Sequence, residues 1–125
     1  MYTLIPAVSG TISDWIDMLP HIAGLGFNAI HILPMTSLDV SESPYSAYDL
    51  FSIDSAYNGH NNRDGFTLFE KFVEKAQELG IRLCFDLVLN HIGIRSKMAH
   101  MCPEWIVPDK SEKDGLKRSG CWHMN

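Results

Sequence analysis

The chain has 125 residues, of which 46% are hydrophobic and 20% are charged, and its formal net charge is −5. These values are typical of a globular, soluble protein of one domain and exclude a disordered chain. The acidic balance, with no basic block, argues against nucleic acid or an anionic membrane as the main partner.

The amino-terminal residues lack the charged leader and apolar run of a signal peptide, and no apolar stretch is long enough to span a membrane. The three cysteines, Cys84, Cys102 and Cys121, are an odd number, and Cys84 lies in an apolar run. We therefore expect reduced thiols and a cytoplasmic location, unless a leader precedes this chain in a longer protein.

The first elements predicted by hydrophobic periodicity are a strand at residues 2–8, a helix and a second strand at residues 27–33. Ser13 is the predicted N-cap of the helix, Pro20 is expected to kink it, and Gly24 and Gly26 are expected to end it.

A second helix is predicted to begin at an N-cap, Asp64 or Thr67, because Thr67 and Glu70 have the spacing of a capping box. Gly80 should end it, and residues 81–89 are predicted to form a third strand, buried on both sides in a parallel sheet. Strand, helix, strand, helix, strand is typical of an α/β protein, in which ligands bind at the carboxyl ends of the strands.

Two polar features are expected to lie at that edge of the sheet. Asn90 and His91 follow the third strand, and residues 34–64 form a long connection after the second. The connection carries Tyr45, Tyr48 and Tyr57, so we interpret it as an ordered binding loop. Its tyrosines and carboxylates would suit a pyranose ring, but Tyr45 and Tyr57 could equally pin the loop to the protein.

The other polar side chains also leave two explanations open. A neutral His91 can donate to a ligand hydroxyl, although a lone histidine at the end of a strand is more often structural. Asp86, if buried, must be paired, and an arginine from elsewhere in the fold is the expected partner.

The segment FDLVLNH, residues 85–91, resembles the first signature of the α-amylase family, glycoside hydrolase family 13. Upstream, LPHIAGLGFNAIHILPM, SPYSAYDLFSID and the helix that ends in Leu79, Gly80 and Ile81 resemble further segments of that family, in its order. The resemblance extends from residue 2 to about residue 93. It implies an α/β fold that is a partial (β/α)8 TIM barrel, with residues 1–93 as its N-terminal segment and residues 94–125 as the start of a domain B-like insertion.

The resemblance also implies roles for individual residues. Tyr48 matches a tyrosine that stacks on the sugar at the cleavage site, and His91 matches a histidine that hydrogen-bonds the same sugar. Asp49 and Asp86 match supporting residues, Asp86 being the one that holds an arginine of the site. Asn90 matches an asparagine that binds calcium in many amylases, so calcium is a candidate cofactor.

A finer resemblance concerns SESPYSAYDL and NHIGIRSKMAHMCPEW, which are similar to the glucanotransferase half of glycogen-debranching enzymes. The tail also contains a His100-x-Cys102 pair and a Cys121-x-His123 pair, which could be drawn as a zinc site. Their spacing differs from that of common zinc sites, so we interpret them as loop residues.

Retaining glycosidases need two carboxyl groups, and the resemblance implies that these follow the fourth and fifth barrel strands. No acidic residue here matches them, so we assign no catalytic residue in this chain and expect the isolated chain to be inactive. An open sheet of this size would leave Trp15, Phe69 and Phe72 short of partners.

The sequence therefore predicts a fragment of a retaining glycoside hydrolase or 4-α-glucanotransferase acting on α-glucans or oligosaccharides, with the remainder of the barrel in the same longer chain. Two alternatives remain: a catalytically inactive amylase-like protein with a binding or interaction role, and a small α/β binding domain with an accidental DLVLNH.

Overall fold

The structure is a computed structural model, and it describes residues 1–59, 65–107 and 121–123. In chain order its strands and helices are β1 (Tyr2–Leu4), α1 (Ile12–Gly24), β2 (Ala29–Ile32), β3 (Thr36–Leu38), β4 (Ala47–Ile53), α2 (Gly65–Glu78), β5 (Arg82–Phe85), β6 (His91–Gly93), α3 (Lys97–Met101) and β7 (Cys121–His123). Short 3-10 helices cover Pro6–Val8, Ser55–Tyr57 and Pro103–Trp105.

The chain divides into two compact units. The first unit comprises Met1–Met35 and Ser52–Leu87, and the second unit comprises Thr36–Phe51 and Val88–Asn125. The prediction of a barrel segment at residues 1–93 and a domain B-like insertion at residues 94–125 stays a prediction. Among the described residues, no helix is long and apolar enough to cross a membrane.

The first unit contains a parallel three-stranded sheet in the order β1-β2-β5, with α1 between β1 and β2 and α2 between β2 and β5. The register pairs Ile30 of the central strand with Tyr2 on one side and Leu83 on the other. This confirms the predicted strand-helix-strand-helix-strand order, although each strand is shorter than predicted. The first strand ends at Leu4 because Pro6, which has no backbone N–H, begins a 3-10 helix.

Helix α1 begins two residues earlier than the predicted cap requires. Thr11, not Ser13, is the N-cap, and one carboxylate oxygen of Asp14 accepts hydrogen bonds from both the Thr11 N–H and the Thr11 hydroxyl, each 2.7 Å long. These bonds lower the pKa of Asp14 because they stabilise its ionised form. Pro20 lies inside the helix, which continues to Gly24, and Gly26 with a φ of 85° follows its end.

Helix α2 begins at Gly65, so the prediction of Thr67 as its N-cap is wrong, and Asp64 lies outside the described residues. Gly80 has a φ of 70° and follows the end of the helix, which confirms its predicted role. The left-handed conformation at this position favours glycine because a side chain would clash with the backbone.

The core of the first unit lies where α1 and α2 pack on each other and on the sheet. Trp15 and Phe72 are fully buried, and the ring centroid of Trp15 lies 5.7 Å from that of Tyr57 and 6.0 Å from that of Phe72. Phe69 packs edge-on against Phe85. The expectation that Trp15, Phe69 and Phe72 lack partners is therefore wrong, because the two helices and the 3-10 helix Ser55–Tyr57 supply them.

The third predicted strand is shorter and more exposed than its apolar sequence indicates. It ends at Phe85, and Arg82, Cys84 and Phe85 are exposed, so burial on both sides is a wrong prediction. Within the described part of the chain β5 is at the edge of its sheet, and no further strand covers it. Leu87 and Leu89, which follow it, are 55% and 64% exposed.

The second unit contains two small sheets, β3 with β4 and β6 antiparallel to β7. The predicted loop at residues 34–64 therefore contains strands, because side chains that favour strands, such as Tyr48, Phe51 and Ile53, lie within β4. Residues 60–64 of that loop lie outside the described residues. Because β5 already ends at Phe85 and His91 begins β6, Asn90 and His91 come after the third parallel strand but do not follow it directly, as the predicted strand end at residue 89 would require.

Candidate functional site

Tyr48 and Asp49 lie on β4 within the second unit, and both are partly buried. Because they are neighbours on a strand, their side chains are expected to leave opposite faces. Asp49 Oδ1 also accepts a 3.0 Å hydrogen bond from the backbone N–H of Phe51. Tyr48 therefore lies on a strand and not in the irregular loop that the sequence predicts.

A turn of the second unit binds β4 through two consecutive residues. Ser96 is fully buried, and its Oγ donates a 2.9 Å hydrogen bond to the backbone carbonyl of Tyr48. Lys97 Nζ lies 2.7 Å from Asp49 Oδ2 and makes an ion pair with it. The backbone of Tyr48 and the carboxylate of Asp49 are therefore both fixed by residues 48 positions further along the chain.

The preceding residue of the same turn binds the loop before β4. The backbone N–H of Arg95 donates a 2.8 Å hydrogen bond to Asp39 Oδ2, and Asp39 is buried. The backbone N–H of Asp39 in turn donates to the carbonyl of Ser46 at 3.0 Å. Gly93 lies against the same carboxylate, where an added Cβ atom would be 2.6 Å from Asp39 Cγ. Three consecutive residues, 95–97, thus hold the segment that carries Tyr48.

Lys97 also lies over the aromatic ring of Tyr48, with Nζ 5.4 Å from the ring centroid. This distance is within the range of a cation–π contact. The pKa of Lys97 is raised, first by its hydrogen bond to Asp49, then by the charge of Asp49, with Tyr48 as a smaller contributor. The ammonium group therefore stays charged over a wider pH range than that of an ordinary lysine.

His91 and Asn90 lie in the same unit as Tyr48, and Asn90 Nδ2 is 3.4 Å from His91 Nδ1. The donor and acceptor roles of the imidazole nitrogens depend on its tautomer. His91 is partly buried, so this residue is neither part of the core nor fully exposed to solvent. The sugar-binding roles of Tyr48 and His91 stay predictions.

Asp86 belongs to the first unit, where it directly follows β5. Its backbone N–H donates a 2.9 Å hydrogen bond to the carbonyl of Ile32, which extends the sheet by one residue. The side chain is partly exposed, so an arginine partner is not required by burial alone. Its predicted supporting role stays a prediction.

The other two tyrosines of the predicted loop differ in their surroundings. Tyr57 is buried against Trp15, and burial, followed by the charge of Asp54, raises its pKa. Tyr57 therefore fits the explanation that it pins the connection to the rest of the protein. Tyr45 is exposed in the second unit, and both explanations remain open for it.

Sequence reasoning missed Asp39, Ser96 and Lys97. Ser96 is the N-cap of α3, and its Oγ accepts a hydrogen bond from the Met98 N–H. A serine before a short helix is a recognisable capping signal. The pairing of Lys97 with Asp49 has no such signal, because the two residues are 48 positions apart and no local pattern joins them.

The described residues contain no group of three or more histidine, cysteine or acidic side chains that could hold a metal ion. Calcium at Asn90 stays a prediction. Cys84 and Cys102 are free cysteines. The side chains of Cys121 and His123, which belong to the zinc alternative, lie outside the described residues.

The sequence of this chain is similar to a known protein family and to several characterised proteins. Residues 1–107 match the family model of the glycogen debranching enzyme, glucanotransferase domain. The chain is 30% identical over 105 residues to a probable α-glucosidase of Rhizobium meliloti (strain 1021), covering 78% of this chain and 18% of that protein. It is 31% identical over 96 residues to an intracellular maltogenic amylase of Bacillus subtilis (strain 168), covering 77% of this chain and 14% of that protein.

The crystal structure of an α-amylase from Lactobacillus plantarum is similar to this chain with a TM-score of 0.82 and 23% identity. The match covers 99% of this chain and 30% of that one. The chain thus spans less than a fifth of the length of the two curated relatives and less than a third of the solved structure.

The family match includes Tyr48, Asp49, Asp86, Asn90 and His91, and extends far beyond the DLVLNH segment, which argues against an accidental resemblance. The chain belongs to the α-amylase family, and within it to the glucanotransferase domains of glycogen debranching enzymes.

Proposed function

We propose that this chain is part of an enzyme that transfers or hydrolyses the glucosyl chains of α-glucans, and that it contributes part of the sugar-binding subsite. The observation that carries this proposal is the match of residues 1–107 to a glucanotransferase domain. Of the two reactions, the match favours transfer between glucan chains over hydrolysis.

The geometry of the second unit supports a binding role. The backbone of Tyr48 is held by Ser96, and the residue is only partly buried, which is compatible with a role in stacking on a sugar. His91, in the same unit, is partly exposed and can donate one N–H to a sugar hydroxyl. Asp49, paired with Lys97, supports the strand that carries Tyr48.

We further propose that the chain forms part of a (β/α)8 barrel that a longer protein completes. A barrel of this kind typically takes about 250 residues. The edge position of β5 and the exposed Leu87 and Leu89 support this proposal, since a neighbouring strand and helix would cover them.

The chemistry would then be divided between this chain and the remainder of the barrel. A retaining transfer needs a carboxylate nucleophile and a carboxylic acid about 5–5.5 Å from it. We place both outside residues 1–125, in line with the family pattern. Within this chain Tyr48 and His91 orient the sugar at the bond to be cleaved, which lowers the entropic part of the barrier. Water or a second glucan chain then accepts the glucosyl group.

Two further parts of the proposal concern location and identity. A cytoplasmic protein is supported by the similarity to a maltogenic amylase described as intracellular. A catalytically inactive amylase-like protein remains an alternative, and the presence or absence of acidic residues after the fourth and fifth barrel strands of the native protein separates the two.

The first experiment is to measure the intact mass of the native protein that contains this chain. A mass several times that of the 125 residues is expected. A mass equal to that of the chain would contradict the proposal of a longer barrel enzyme. It would leave sugar binding as the most that this chain could do.

The second experiment measures binding of maltoheptaose to the native protein and to its variants. Tyr48→Ala should weaken binding at least about fivefold, because an aromatic contact contributes of the order of 1 kcal/mol beyond its buried area. Tyr48→Phe should retain most of the affinity, since the ring remains. His91→Ala should weaken binding, whereas His100→Ala, which removes an exposed histidine of α3, is the matched control. Unchanged binding by both Tyr48→Ala and His91→Ala would contradict the proposed subsite.

A further inference from the structure

Lys97 contacts two neighbouring residues of β4, Tyr48 and Asp49. Its Nζ lies 2.7 Å from Asp49 Oδ2 and 5.4 Å from the ring centroid of Tyr48. All three residues lie in the second unit. The side chain of Asp49 is only 14% exposed, whereas that of Lys97 is 50% exposed. The ammonium group is thus bound by a largely buried carboxylate, while the lysine side chain itself remains half exposed to solvent.

We infer that Lys97 is a positioning residue for sugar binding: its ammonium group occupies one face of the Tyr48 ring and leaves the opposite face for a glucose unit of the α-glucan. This inference rests on the proposed function, because it assumes that Tyr48 stacks on the sugar. It goes beyond that proposal by naming the residue that orients the ring and the face on which the ligand packs.

The position of Lys97 along the chain explains how its ammonium group is kept beside Asp49 and over the ring of Tyr48. It directly follows Ser96, whose buried hydroxyl is bonded to the carbonyl of Tyr48. The backbone of residue 97 is therefore fixed relative to the backbone of residue 48. A lysine on a free loop would lose more side-chain entropy on reaching the same place.

An ion pair between two exposed side chains would not support a positioning role for its lysine. Exposed lysine–carboxylate pairs contribute little, and many contribute nothing measurable. Lys75 and Glu78 on α2 form such a pair, with the same 2.7 Å separation and both side chains exposed. Lys97 differs because its carboxylate partner is largely buried and an aromatic ring lies beneath its ammonium group. Lys75 is therefore a matched control.

The test compares maltoheptaose binding by variants of the native protein that contains this chain. Lys97→Met retains the aliphatic stem and removes the charge, and it should weaken binding about two- to fivefold, the range of a modest cation–π contact. Lys97→Arg retains a cation at this place and should restore binding to within about twofold of the wild type. Lys75→Met should leave binding unchanged.

A double variant shows whether Lys97 acts through Tyr48. In the Tyr48→Leu background, Lys97→Met should produce no further loss of affinity, because the ring that it positions is already absent. The ultraviolet difference spectrum between wild type and Lys97→Met should show a tyrosine signal in the absence of sugar, and this signal should vanish in the Tyr48→Leu background.

The possible failures are distinguishable. Equal losses caused by Lys97→Met in both backgrounds would overturn the positioning role while leaving the subsite intact. A lower unfolding temperature with unchanged maltoheptaose affinity would show a purely structural ion pair and would also overturn it. If Tyr48→Leu leaves affinity unchanged, the proposed subsite itself is wrong, even where the tyrosine difference signal shows that the two side chains are in contact.

Discussion

The hydroxyl group of Ser96 donates a hydrogen bond of 2.9 Å to the backbone carbonyl of Tyr48, and no part of Ser96 is exposed. The same oxygen accepts a hydrogen bond from the Met98 N–H. One buried side chain therefore joins β4 to the first turn of α3. This relationship, together with the neighbouring bonds of residues 95 and 97, determines where the aromatic ring of Tyr48 can lie.

Replacing Ser96 by alanine should loosen this connection. We expect Ser96→Ala to lower the free energy of unfolding by about 1–3 kcal/mol, because the carbonyl of Tyr48 and the N–H of Met98 lose a buried partner. Hydrogen exchange of the β4 amides should accelerate. Ser41→Ala, at an exposed serine of the same unit, is the control, and equal exchange in the two variants would contradict this prediction.

A methyl group at position 93 should be poorly tolerated. In Gly93→Ala the new Cβ atom would clash with the buried carboxylate of Asp39, and we expect a loss of about 1–3 kcal/mol in the free energy of unfolding. Gly24→Ala is the matched control, because nothing lies within 4 Å of its added Cβ atom. It should be neutral or slightly stabilising at the end of α1. Thermal unfolding of both variants checks this, and equal shifts would count against the close contact.

The cap of α1 should make stability depend on pH in the acidic range. The pKa of Asp14 is lowered from its ordinary value of 3.8 by hydrogen bonds from Thr11, so its ionised form stabilises the folded state. That contribution is fully present above pH 3.8 and is lost as the pH falls through the lowered pKa. The difference in unfolding temperature between wild type and Asp14→Asn should therefore be constant near neutrality and shrink at lower pH.

Thr11→Val gives an independent check on the same cap, because it removes the hydroxyl donor to Asp14 and retains the side-chain shape. The dependence on acidic pH should be weaker in this variant than in the wild type. The indole of Trp15, which donates to the carbonyl of Gly10 at 3.1 Å, is a convenient local fluorescence probe. An identical acid profile for wild type and Thr11→Val would show that the hydroxyl does not set the pKa of Asp14.

The isolated 125-residue chain should have no catalytic activity. We expect that it releases no reducing sugar from soluble starch or maltooligosaccharides, because the proposed function places both catalytic carboxylates outside residues 1–125. The isolated chain should also lack the cooperative thermal transition of a complete small domain, because the rest of the proposed barrel is absent. The unfolding measurements described above therefore use the native protein that contains this chain. Turnover by the purified chain that Tyr48→Ala or His91→Ala abolishes would refute this prediction.

The order of the elements in the first unit was predictable because burial imposes periodicity on each segment. Apolar residues at helical spacing marked α1 and α2, and glycines with left-handed φ ended both helices as predicted. The cap of α1 was misplaced because Thr11 and Ser13 are both good caps. The deciding signal was Asp14 three residues after Thr11, which accepts from its N–H and hydroxyl.

The burial of β5 could not be predicted from its own residues. Its apolar sequence indicates a strand covered on both sides, yet Phe85 and Leu87 are exposed in this chain. An apolar sequence indicates that a strand is suited to burial, but it does not show whether the described residues include the neighbours that would cover it. Likewise, the family resemblance identified Tyr48 and Asp49, but their partner Lys97 becomes visible only when distant segments are brought together.

The open edge of β5 has a consequence for biosynthesis. In a chain that continues past residue 125, the ribosome exposes this edge before any later strand can pair with it. During that interval its unpaired backbone groups and the adjacent Leu87 and Leu89 form a template onto which a second nascent chain can add. Yield in a heterologous host should therefore depend on chaperone supply and growth temperature more than on the stability of the finished protein.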